Sequence, residues 1–247
     1  MSTSPPRIRL DSALVERGLV ATRSRARDLV LRGAVTVDGR RADKPAEMVG
    51  GEAALAVAGG LAAQVSRAAT KLDAALDRFG LDAAGRIALD VGASTGGFTQ
   101  TLLARGAARV HAVDVGRDQL HAELRADPRV VSLEGFDARR LSAVECPEPI
   151  GAIAADVSFI ALAKVLPAAL ALAAPGCWLV ALVKPQFEVG RAALGRGGIV
   201  RDVAAREAAA AGVAAFLADA GWRVLGTMPS PLPGKDGNQE HLVAAVT

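Results

Sequence analysis

Two ionisable side chains follow strongly apolar segments of the chain. Asp156 comes directly after the run Ile150–Ala155, and Lys184 comes directly after the run Cys177–Val183. Short apolar runs of this kind are typical of buried parallel strands, and ligands bind at the carboxyl edge of an open parallel sheet. A lysine and a carboxylate placed together at that edge could hold a substrate group or move a proton.

Lys71 and Glu240 extend this set to four residues. Lys71 is predicted to lie on a helix before the first strand of its domain, and Glu240 is predicted to open the last strand. Each residue also has a plainer interpretation, because a charged side chain at a strand end is most often solvated or half of an ordinary ion pair. The catalytic interpretation therefore depends on the rest of the sequence.

The segment DVGASTGGFT predicts a ligand-binding turn between a strand and a helix. The apolar run Ile87–Val91 is expected to form a buried strand, and a helix is expected from Phe98 to Leu103. Glycines at such a turn let the backbone approach a ligand and present its N–H groups at the start of the helix. The next strand, Val110–Val113, ends at Asp114, whose carboxylate could accept hydrogen bonds from a ribose diol.

The spacing of the glycines separates two classes of nucleotide cofactor. The dinucleotide motif G-x-G-x-x-G is not met, because Ser94 stands two residues after Gly92. The form D-V-G-x-x-x-G-G resembles instead the S-adenosylmethionine turn of class I methyltransferases. The cofactor site that this resemblance implies comprises Asp90, Gly92, Ser94, Thr95, Gly96, Gly97, Phe98, Asp114, Asp137 and Asp156. A tight turn with a purely structural role is the alternative.

Residues 1–60 are predicted to form a small basic domain. They hold ten Lys and Arg against seven Asp and Glu, while residues 61–247 hold nineteen of each. A first helix is expected with Asp11 as its N-cap and Gly18 just past its end. A second helix is expected to begin near Thr22 or Ser24 and to stop at Gly33, followed by a β-hairpin that turns at Asp38-Gly39. A last short strand is expected at Leu55–Val57, before a domain boundary at Gly59-Gly60.

This order of two helices and a hairpin, with SRARDLVLRGAVTVDG at its centre, resembles the S4 RNA-binding domain. The resemblance implies that the arginine-rich second helix and the following turn bind RNA phosphates. The residues assigned to RNA in this way are Arg7, Arg23, Arg25, Arg27, Arg32, Arg40, Arg41 and Lys44. A solvated basic helix face is the alternative.

Composition narrows the class of protein. A chain of 247 residues suits one sizeable core with a small added domain. With 6 Phe, 2 Trp and no Tyr, helices packed on a buried sheet are favoured over aromatic platforms for single-stranded RNA. The only cysteines of the sequence, Cys146 and Cys177, indicate a reducing cytoplasmic compartment. They are not spaced as a metal pair, and the 3 His are scattered, which indicates no metal site. The N-terminus lacks the apolar segment of a secretory signal.

The uncharged segment Val165–Val183 has the length of a membrane span. Pro167 and the Pro175-Gly176 pair divide it, however, into a predicted buried helix at Leu166–Ala174 and a predicted central strand at Cys177–Val183. Each piece is too short to cross a bilayer. Lys184 is therefore expected where a buried strand emerges into a site, and not at the end of a membrane helix.

The four ionisable residues carry a second resemblance. Their order Lys71, Asp156, Lys184, Glu240, with DVSFI and LVKPQFE intact, resembles that of the FtsJ-like ribose 2′-O-methyltransferases, and the S4 module narrows this to the TlyA family, which methylates ribosomal RNA. In the implied reaction, Lys184 takes up the proton or stabilises the alkoxide, and Asp156 orients Lys184. Lys71 and Glu240 position the ribose and its neighbouring phosphate.

The resemblance covers nearly the whole chain and implies an architecture. Residues 61–247 would form an α/β, Rossmann-like class I methyltransferase domain, with a mostly parallel seven-stranded sheet and helices on both faces. Residues 1–60 would form a small α+β S4 domain before it. The implied cofactor is S-adenosylmethionine, and the implied partner is ribosomal RNA or a ribosomal subunit, with no metal and no membrane.

Two positions depart from the family pattern. Ala68-Ala69 stand where paired glycines are usual, which affects the backbone just before Lys71. Asp137 follows a third expected strand, Val130–Leu133, at a position where an asparagine is common. An aspartate keeps an acceptor for the adenine amino group but loses a donor.

Three other functions remain open at this point. An NAD-dependent oxidoreductase is opposed by the missing second glycine of its motif. A non-catalytic assembly factor could use the same S4 module to bind RNA without transferring methyl groups. A membrane-active, haemolysin-like protein is opposed by the prolines that interrupt the apolar segment.

Overall fold

The computed structural model describes residues 7–20, 23–31, 33–57, 65–190 and 194–247. The chain divides into two compact units, residues 1–63 and residues 64–247. The boundary expected at Gly59-Gly60, the expected helix start at Thr22 and the predicted RNA ligand Arg32 lie outside the described residues.

The described residues of the small unit form two short helices and five short strands. α1 and α2 pack together, strands β3-β2-β5 form a three-stranded antiparallel sheet, and β1 pairs with β4. Leu10, Leu14, Val30 and Val35 are fully buried in its own core. The elements are β1 Ile8–Arg9, α1 Leu10–Glu16, α2 Arg23–Leu31, β2 Val35–Val37, β3 Arg40–Arg41, β4 Met48–Val49 and β5 Leu55–Val57.

The turns of the small unit lie where the sequence predicts them. Asp38 and Gly39 join β2 to β3 with positive φ angles of 50° and 78°, the geometry of a two-residue type I′ hairpin. Gly18 has a φ of 68° just past α1, and Gly33 has a φ of 70° just past α2. The small α+β architecture is confirmed.

The expectation that Asp11 is the N-cap of α1 is wrong. The N-cap is Arg9, and the amides of Leu10 and Asp11 donate to the backbone oxygens of Glu47 and Pro45. These backbone partners satisfy the first amides of the helix, so no side-chain cap is needed. The Asp11 carboxylate is instead fully buried, and hydrogen bonds from Arg9 lower its pKa to about 2.

The large unit is a seven-stranded sheet with helices on both faces, as predicted. Its strand order is β11-β12-β10-β9-β6-β7-β8; β8, β7, β6, β9 and β10 run parallel, and β12 is antiparallel to both β10 and β11. The strands are β6 Ile87–Val91, β7 Arg109–Asp114, β8 Val130–Glu134, β9 Ile150–Ala155, β10 Ala173–Val183, β11 Arg223–Pro229 and β12 His241–Val246. The helices are α3 Ala68–Phe79, α4 Gly97–Ala104, α5 Ala122–Ala126, α6 Leu162–Leu170, α7 Pro185–Glu188 and α8 Val203–Asp219.

The two faces of this sheet carry separate cores. Side chains alternate between faces along a strand, so neighbours such as Ala88 and Leu89 of β6 point to opposite sides. Leu89 belongs to a cluster with residues of α6 and α8, and Ala88 belongs to one with residues of α3, α4 and α5. Both faces of the parallel strands are therefore buried, which explains their continuously apolar sequence.

The helix predicted at Leu166–Ala174 is displaced in the structure. α6 begins four residues earlier, at Leu162, and it contains Pro167. The start is stabilised by a distant side chain, because the Glu188 carboxylate accepts a hydrogen bond of 2.9 Å from the amide of Leu162. Such a cap satisfies one of the free N–H groups of a helix N-terminus.

The central strand also begins earlier than predicted. β10 starts at Ala173 and passes through Pro175-Gly176, and its register with β9 shifts between Ala173 and Trp178. A proline and a glycine are accommodated because they lie at this irregularity, before the regular ladder begins. Among the described residues, no helix is both long and apolar enough to cross a bilayer.

Candidate active site

Four of the chain positions singled out in the sequence meet at one edge of the large sheet. Ala155, the last residue of β9, pairs with Val91 of β6 and with Ala181 of β10. Val183, the last residue of β10, pairs with His241, the first of β12. The residues that follow or precede these ends, namely Gly92, Asp156, Lys184 and Glu240, therefore lie along the same edge.

Lys184 and Asp156 form one ion pair of this site. The Lys184 Nζ lies 2.6 Å from Asp156 Oδ1 and donates a hydrogen bond of 2.9 Å to Ser158 Oγ. The two side chains of the pair keep 14% and 18% of their surface exposed. The lysine is thus held between two oxygens of the segment after β9 while still reaching solvent.

Lys71 and Glu240 form a second ion pair, which is more deeply buried. Lys71 projects from the first turn of α3, and its Nζ donates to Glu240 Oε2. Burial raises the pKa of Glu240, while the ammonium of Lys71 opposes that rise. The charges of Lys184 and Asp156 also influence this carboxyl group, so the two pairs act on each other electrostatically.

This arrangement can bind a polar group and move a proton. The second pair supplies fixed charges in a poorly solvated setting, where electrostatic interactions are strong. The first pair presents a lysine that donates a hydrogen bond to Ser158 and lies in ion-pair contact with Asp156, so that N–H groups remain for a substrate oxygen. The four residues that the sequence groups as catalytic are therefore brought together as two coupled pairs.

The glycine-rich turn lies directly beside the Lys184 pair. Gly92 has a φ of 87°, and a Cβ atom added there would lie 2.4 Å from the backbone oxygen of Asp156. Only glycine fits this combination of conformation and close approach. The requirement for glycine at this position thus comes from the segment that carries Asp156.

Asp90 lies behind the turn and is fully buried. Thr99 Oγ1 donates to its Oδ2 at 2.7 Å, whereas its Oδ1 has no hydrogen-bond partner among the described residues. Burial raises the pKa of Asp90 to about 7, and the charges of Asp156 and Asp114 add to the rise. Three carboxylates therefore act on one another at this end of the sheet, and they would attract a cation.

Asp114 ends β7 on the opposite side of the turn. Its Oδ2 accepts a hydrogen bond of 2.7 Å from the amide of Ser94, and its Oδ1 accepts one of 2.7 Å from the amide of Gly116. Ser94 has a φ of 46°, a conformation that is uncommon for serine. The carboxylate is thereby fixed at the rim of the turn with further acceptor capacity on each oxygen.

The remaining residues of the turn have mainly packing contacts. A Cβ atom on Gly96 would lie 2.2 Å from Leu124 Cδ1, and one on Gly97 would lie 2.2 Å from Ser66 Oγ. Phe98 is buried in the core, and Thr95 is exposed, with its backbone oxygen accepting from the amide of His121.

Asp137 is engaged by a neighbouring arginine. It caps a short 3₁₀ turn at Ala138–Arg140, and the guanidinium of Arg139 binds both of its carboxylate oxygens, at distances down to 2.6 Å. Hydrogen bonds from Arg139 lower the pKa of Asp137 to about 2. The carboxylate is therefore ionised and already paired where the cofactor prediction places an adenine contact.

A cavity of about 480 Å³ opens along this edge of the sheet. It is bounded by the glycine turn, the ends of β7 and β9 and the segment after β8. Its lining includes five of the predicted cofactor residues, Gly92, Ser94, Asp114, Asp137 and Asp156, together with Gln119, Ser158 and Phe159. A cavity of this volume suits a small-molecule ligand or cofactor.

The predicted RNA-binding residues of the small unit fall into groups with different contacts. Arg27 and Lys44 are exposed, with no ion pair found within the described part of the chain. The paired residues include Arg23 with the buried Asp11, Arg40 with Glu47, and Arg7 with the backbone oxygen of Met48. Arg41 is exposed, and Arg25 lies within α2.

Sequence reasoning missed several residues that the structure places at the large unit's site. Ser158 contacts Lys184, Thr99 contacts Asp90, Gln119 lines the cavity and Glu188 caps α6. Ser158 stands within the DVSFI segment, so its position two residues after Asp156 was the available signal. The others make contacts across 9 to 26 residues of sequence, which no local pattern reveals.

Comparisons with known proteins match each unit to a protein family. The family model described as FtsJ-like methyltransferase matches residues 64–247, and the S4 domain model matches residues 8–55. The 16S/23S rRNA (cytidine-2′-O)-methyltransferase TlyA of Mycobacterium tuberculosis is 48% identical over 242 residues, which cover 96% of this chain and 89% of that protein.

Solved structures share the fold of this chain. A protein from Streptococcus thermophilus described as a hemolysin superposes with a TM-score of 0.73 at 40% identity, covering 98% of this chain and 89% of that one. The N-methyltransferase NodS from Bradyrhizobium japonicum superposes with a TM-score of 0.52 at 17% identity, over 74% of this chain and 98% of that one. The second likeness concerns the fold alone.

Proposed function

The chain belongs to the TlyA family of FtsJ-like methyltransferases with an N-terminal S4 domain, and from that premise we propose that it transfers a methyl group from S-adenosylmethionine to a ribose 2′-hydroxyl of ribosomal RNA. The observation that carries the proposal is the convergence of two coupled ion pairs, Lys184 with Asp156 and Lys71 with Glu240, beside the glycine turn.

The residues around the cavity fit S-adenosylmethionine. The Asp114 carboxylate lines the cavity at its rim and suits a ribose diol. Asp90 is buried behind the lining residues Val91 and Gly92, and its unpaired Oδ1 suits a cationic group at the glycine turn. A pyrophosphate would meet the charges of Asp90, Asp114 and Asp156 as like charges, which argues against a dinucleotide. When bound, S-adenosylmethionine supplies a methyl group on a positively charged sulfur.

Activation of the acceptor hydroxyl falls to Lys184. A ribose hydroxyl is a poor nucleophile until its proton is removed or its developing negative charge is stabilised. The Lys184 Nζ is oriented by Asp156 and Ser158. As a neutral amine it takes up the proton of the 2′-hydroxyl, and as an ammonium it donates to the 2′-oxygen and stabilises the alkoxide. Asp156 also lines the cavity, where its negative charge favours a cationic ligand.

The Lys71 pair keeps the acceptor side of the site in place. Lys71 comes from α3 and Glu240 from the segment before β12, so their bond joins two elements that are far apart in sequence. The loop before Glu240 packs closely on it, because a Cβ on Gly234 would lie 2.7 Å from Glu240 Oε1. The pair therefore positions the ribose and its neighbouring phosphate without itself exchanging a proton.

Ribosomal RNA as the substrate is supported by the S4 unit and by the relatives. The exposed Arg27 and Lys44 can neutralise phosphates. A non-catalytic assembly factor would not need the two ion pairs beside a cofactor-sized cavity. A membrane-active role has no support in the described residues, where the apolar segment of the sequence forms α6 and the central strand β10.

Mass spectrometry of ribosomal RNA tests the proposal. Ribosomal RNA from cells with and without this protein is digested to nucleosides, and the 2′-O-methylated nucleosides are quantified. We expect one or more of them to decrease when the protein is absent. Identical profiles, with the protein present in the first sample, would contradict the proposal.

A further inference from the structure

Gln119 is an exposed polar residue whose side chain faces the cofactor cavity. It follows Asp114 by five positions and lines the cavity together with Asp114, Ser94 and Gly116. Its Oε1 accepts a hydrogen bond of 3.1 Å from Ser94 Oγ. The amide is therefore tied to the same serine whose backbone N–H binds Asp114.

The backbone around Gln119 is fixed at several points. The amides of Gln119 and Leu120 donate to Glu134 Oε1 at 2.7 and 3.0 Å, and Arg125 holds the other oxygen of that carboxylate at 2.7 Å. The amide of His121 donates to the backbone oxygen of Thr95 in the glycine turn. The segment that carries Gln119 is thus bonded to both β8 and the glycine turn.

The amide nitrogen of Gln119 lies next to the Asp114 carboxylate. A Cβ atom added to Gly116 would lie 1.8 Å from Gln119 Nε2 and 3.0 Å from Asp114 Oδ1, so the Gln119 side chain covers this glycine. Within the described part of the chain, the contact with Ser94 is the one hydrogen bond of the Gln119 side chain. Its Nε2 therefore remains available as a donor beside an acceptor.

A diol needs both kinds of partner. Each ribose hydroxyl donates one hydrogen bond, which Asp114 can accept, and each hydroxyl oxygen can accept one, which a carboxylate cannot supply. Asp114 is limited to acceptance, and Gln119 Nε2 is a donor at the same rim. The two side chains are chemically complementary toward neighbouring hydroxyls.

We propose that the Gln119 side-chain amide is a second ribose-binding group of the cofactor site, donating from Nε2 to a hydroxyl oxygen while Asp114 accepts from the diol. The proposal rests on the proposed function, because it takes S-adenosylmethionine as the ligand. Ser94 orients the amide by donating to its Oε1, and Gly116 leaves the space that the amide occupies.

Isothermal titration calorimetry with S-adenosylhomocysteine and its 2′-deoxy and 3′-deoxy analogues tests this role. Gln119→Ala should weaken binding of the complete ligand about 3- to 10-fold, the range of one neutral hydrogen bond. Removing one of the two ligand hydroxyls should also cost the variant less affinity than it costs the parent, by a similar factor. The reason is that the variant no longer has the amide donor that binds this hydroxyl. Gln119→Glu keeps the shape but lacks the donor, so it should bind at least as weakly as the alanine variant.

The matched control is Asp118→Asn, which alters an exposed side chain on the same segment, tolerates the positive φ of 55° at this position and does not line the cavity. It should bind all three ligands as the parent does. If the parent binds none of the ligands, the proposed cofactor is wrong. If the parent binds and Gln119→Ala binds equally well, the role of Gln119 is wrong. The role is also wrong if Gln119→Ala loses affinity but removal of a ligand hydroxyl costs the variant as much affinity as it costs the parent.

Discussion

The two ion pairs of the site have the same chemistry in different surroundings. Lys71 and Glu240 keep 9% and 3% of their side-chain surface exposed, whereas Lys184 and Asp156 keep 14% and 18%. The Lys71 pair joins α3 to the segment before β12. The Lys184 pair lies just past the ends of two neighbouring strands, with Ser158 as an additional partner of the lysine.

This difference separates a supporting role from a reacting one. A deeply buried pair is costly to break, because the remaining charge has no water to stabilise it. A pair that reaches the cavity can exchange one of its contacts for a substrate oxygen. We therefore assign support of the site mainly to Lys71 and Glu240, and chemistry to Lys184.

The largest effect is expected from Lys184→Ala. Single-turnover methyl transfer at saturating S-adenosylmethionine should slow by about 10²- to 10⁴-fold, as for a lost acid–base group. The fold, cofactor affinity and RNA affinity should stay near those of the parent, because the lysine reaches solvent and joins no core element.

Lys184→Arg serves as the control for charge. Arginine remains protonated and its planar head has a different reach, so it should not restore the rate. If Lys184 only solvated the end of β10, both variants would transfer methyl groups nearly as fast as the parent, and the assignment of chemistry to this pair would be wrong.

Breaking the buried pair should reduce stability as well as activity. We expect Lys71→Met to lower the free energy of unfolding by about 3–5 kcal/mol, because Glu240 is left as an uncompensated buried carboxylate. Lys71→Met combined with Glu240→Leu should recover most of this loss while activity stays low. Urea denaturation of the parent and both variants measures the free energies of unfolding. Equal stability of Lys71→Met and the parent would contradict the supporting role assigned to the Lys71 pair.

Asp90 gives a pH test of the cofactor side. Its pKa in the folded protein, about 7, lies above the ordinary value of 3.8, so the folded state retains this proton over a pH range in which the unfolded state has lost it. Its contribution to stability is therefore full at low pH and is lost as pH rises through about 7. We expect ligand-free Asp90→Asn to exceed the parent by about 4 kcal/mol at pH 8, the equivalent of a shift of about 3 pKa units, and nearly to match it at pH 4.

Thermal or urea unfolding at both pH values measures the Asp90 effect, with Asp219→Asn, an exposed carboxylate of the same unit, as the control. The Asp90 variant should also lose affinity for S-adenosylmethionine, since it lacks the negative charge. A stability difference that does not change with pH would show that burial of Asp90 does not raise its pKa in the folded protein.

The smallest effect concerns the S4 unit, where an exposed arginine can be compared with one that is held by backbone oxygens. Arg27 is exposed, whereas Arg17 donates to the backbone oxygens of Gly50, Gly51 and Ala53. Arg27→Gln should reduce the log–log salt dependence of RNA binding by about one unit, the effect of one lost phosphate contact. Arg17→Gln should leave this slope unchanged, and equal slopes for Arg27→Gln and the parent would mean that Arg27 only solvates α2.

Much of the large unit could be predicted because its buried strands have a recognisable, continuously apolar sequence. The apolar runs of the sequence predict β6 and β9 at their observed bounds, since strands that are buried on both faces must be apolar throughout. The placement of Asp156 and Lys184 at one edge follows from that alone, because parallel strands end on the same side.

The errors and omissions come from contacts between distant residues. α6 begins at Leu162 because Glu188 caps it from 26 residues away, and Asp11 is not a cap because a distant loop already satisfies the first amides of α1. Gly96 shows a requirement that motif reading does not reveal, its close approach to Leu124, while its assignment to the cofactor stays a prediction.

The central claim, methyl transfer to a ribose oxygen through Lys184, is tested most directly by locating the transferred methyl group. Ribosomal RNA is incubated with the protein and methyl-labelled S-adenosylmethionine and is then hydrolysed in alkali, which cleaves beside each ribose that has a free 2′-hydroxyl. We predict label in alkali-stable dinucleotides with the parent protein and almost none with Lys184→Ala after the same time. Label in mononucleotides would place the methyl group on a base, and equal label with Lys184→Ala would remove the lysine from the chemistry; either result would contradict the account.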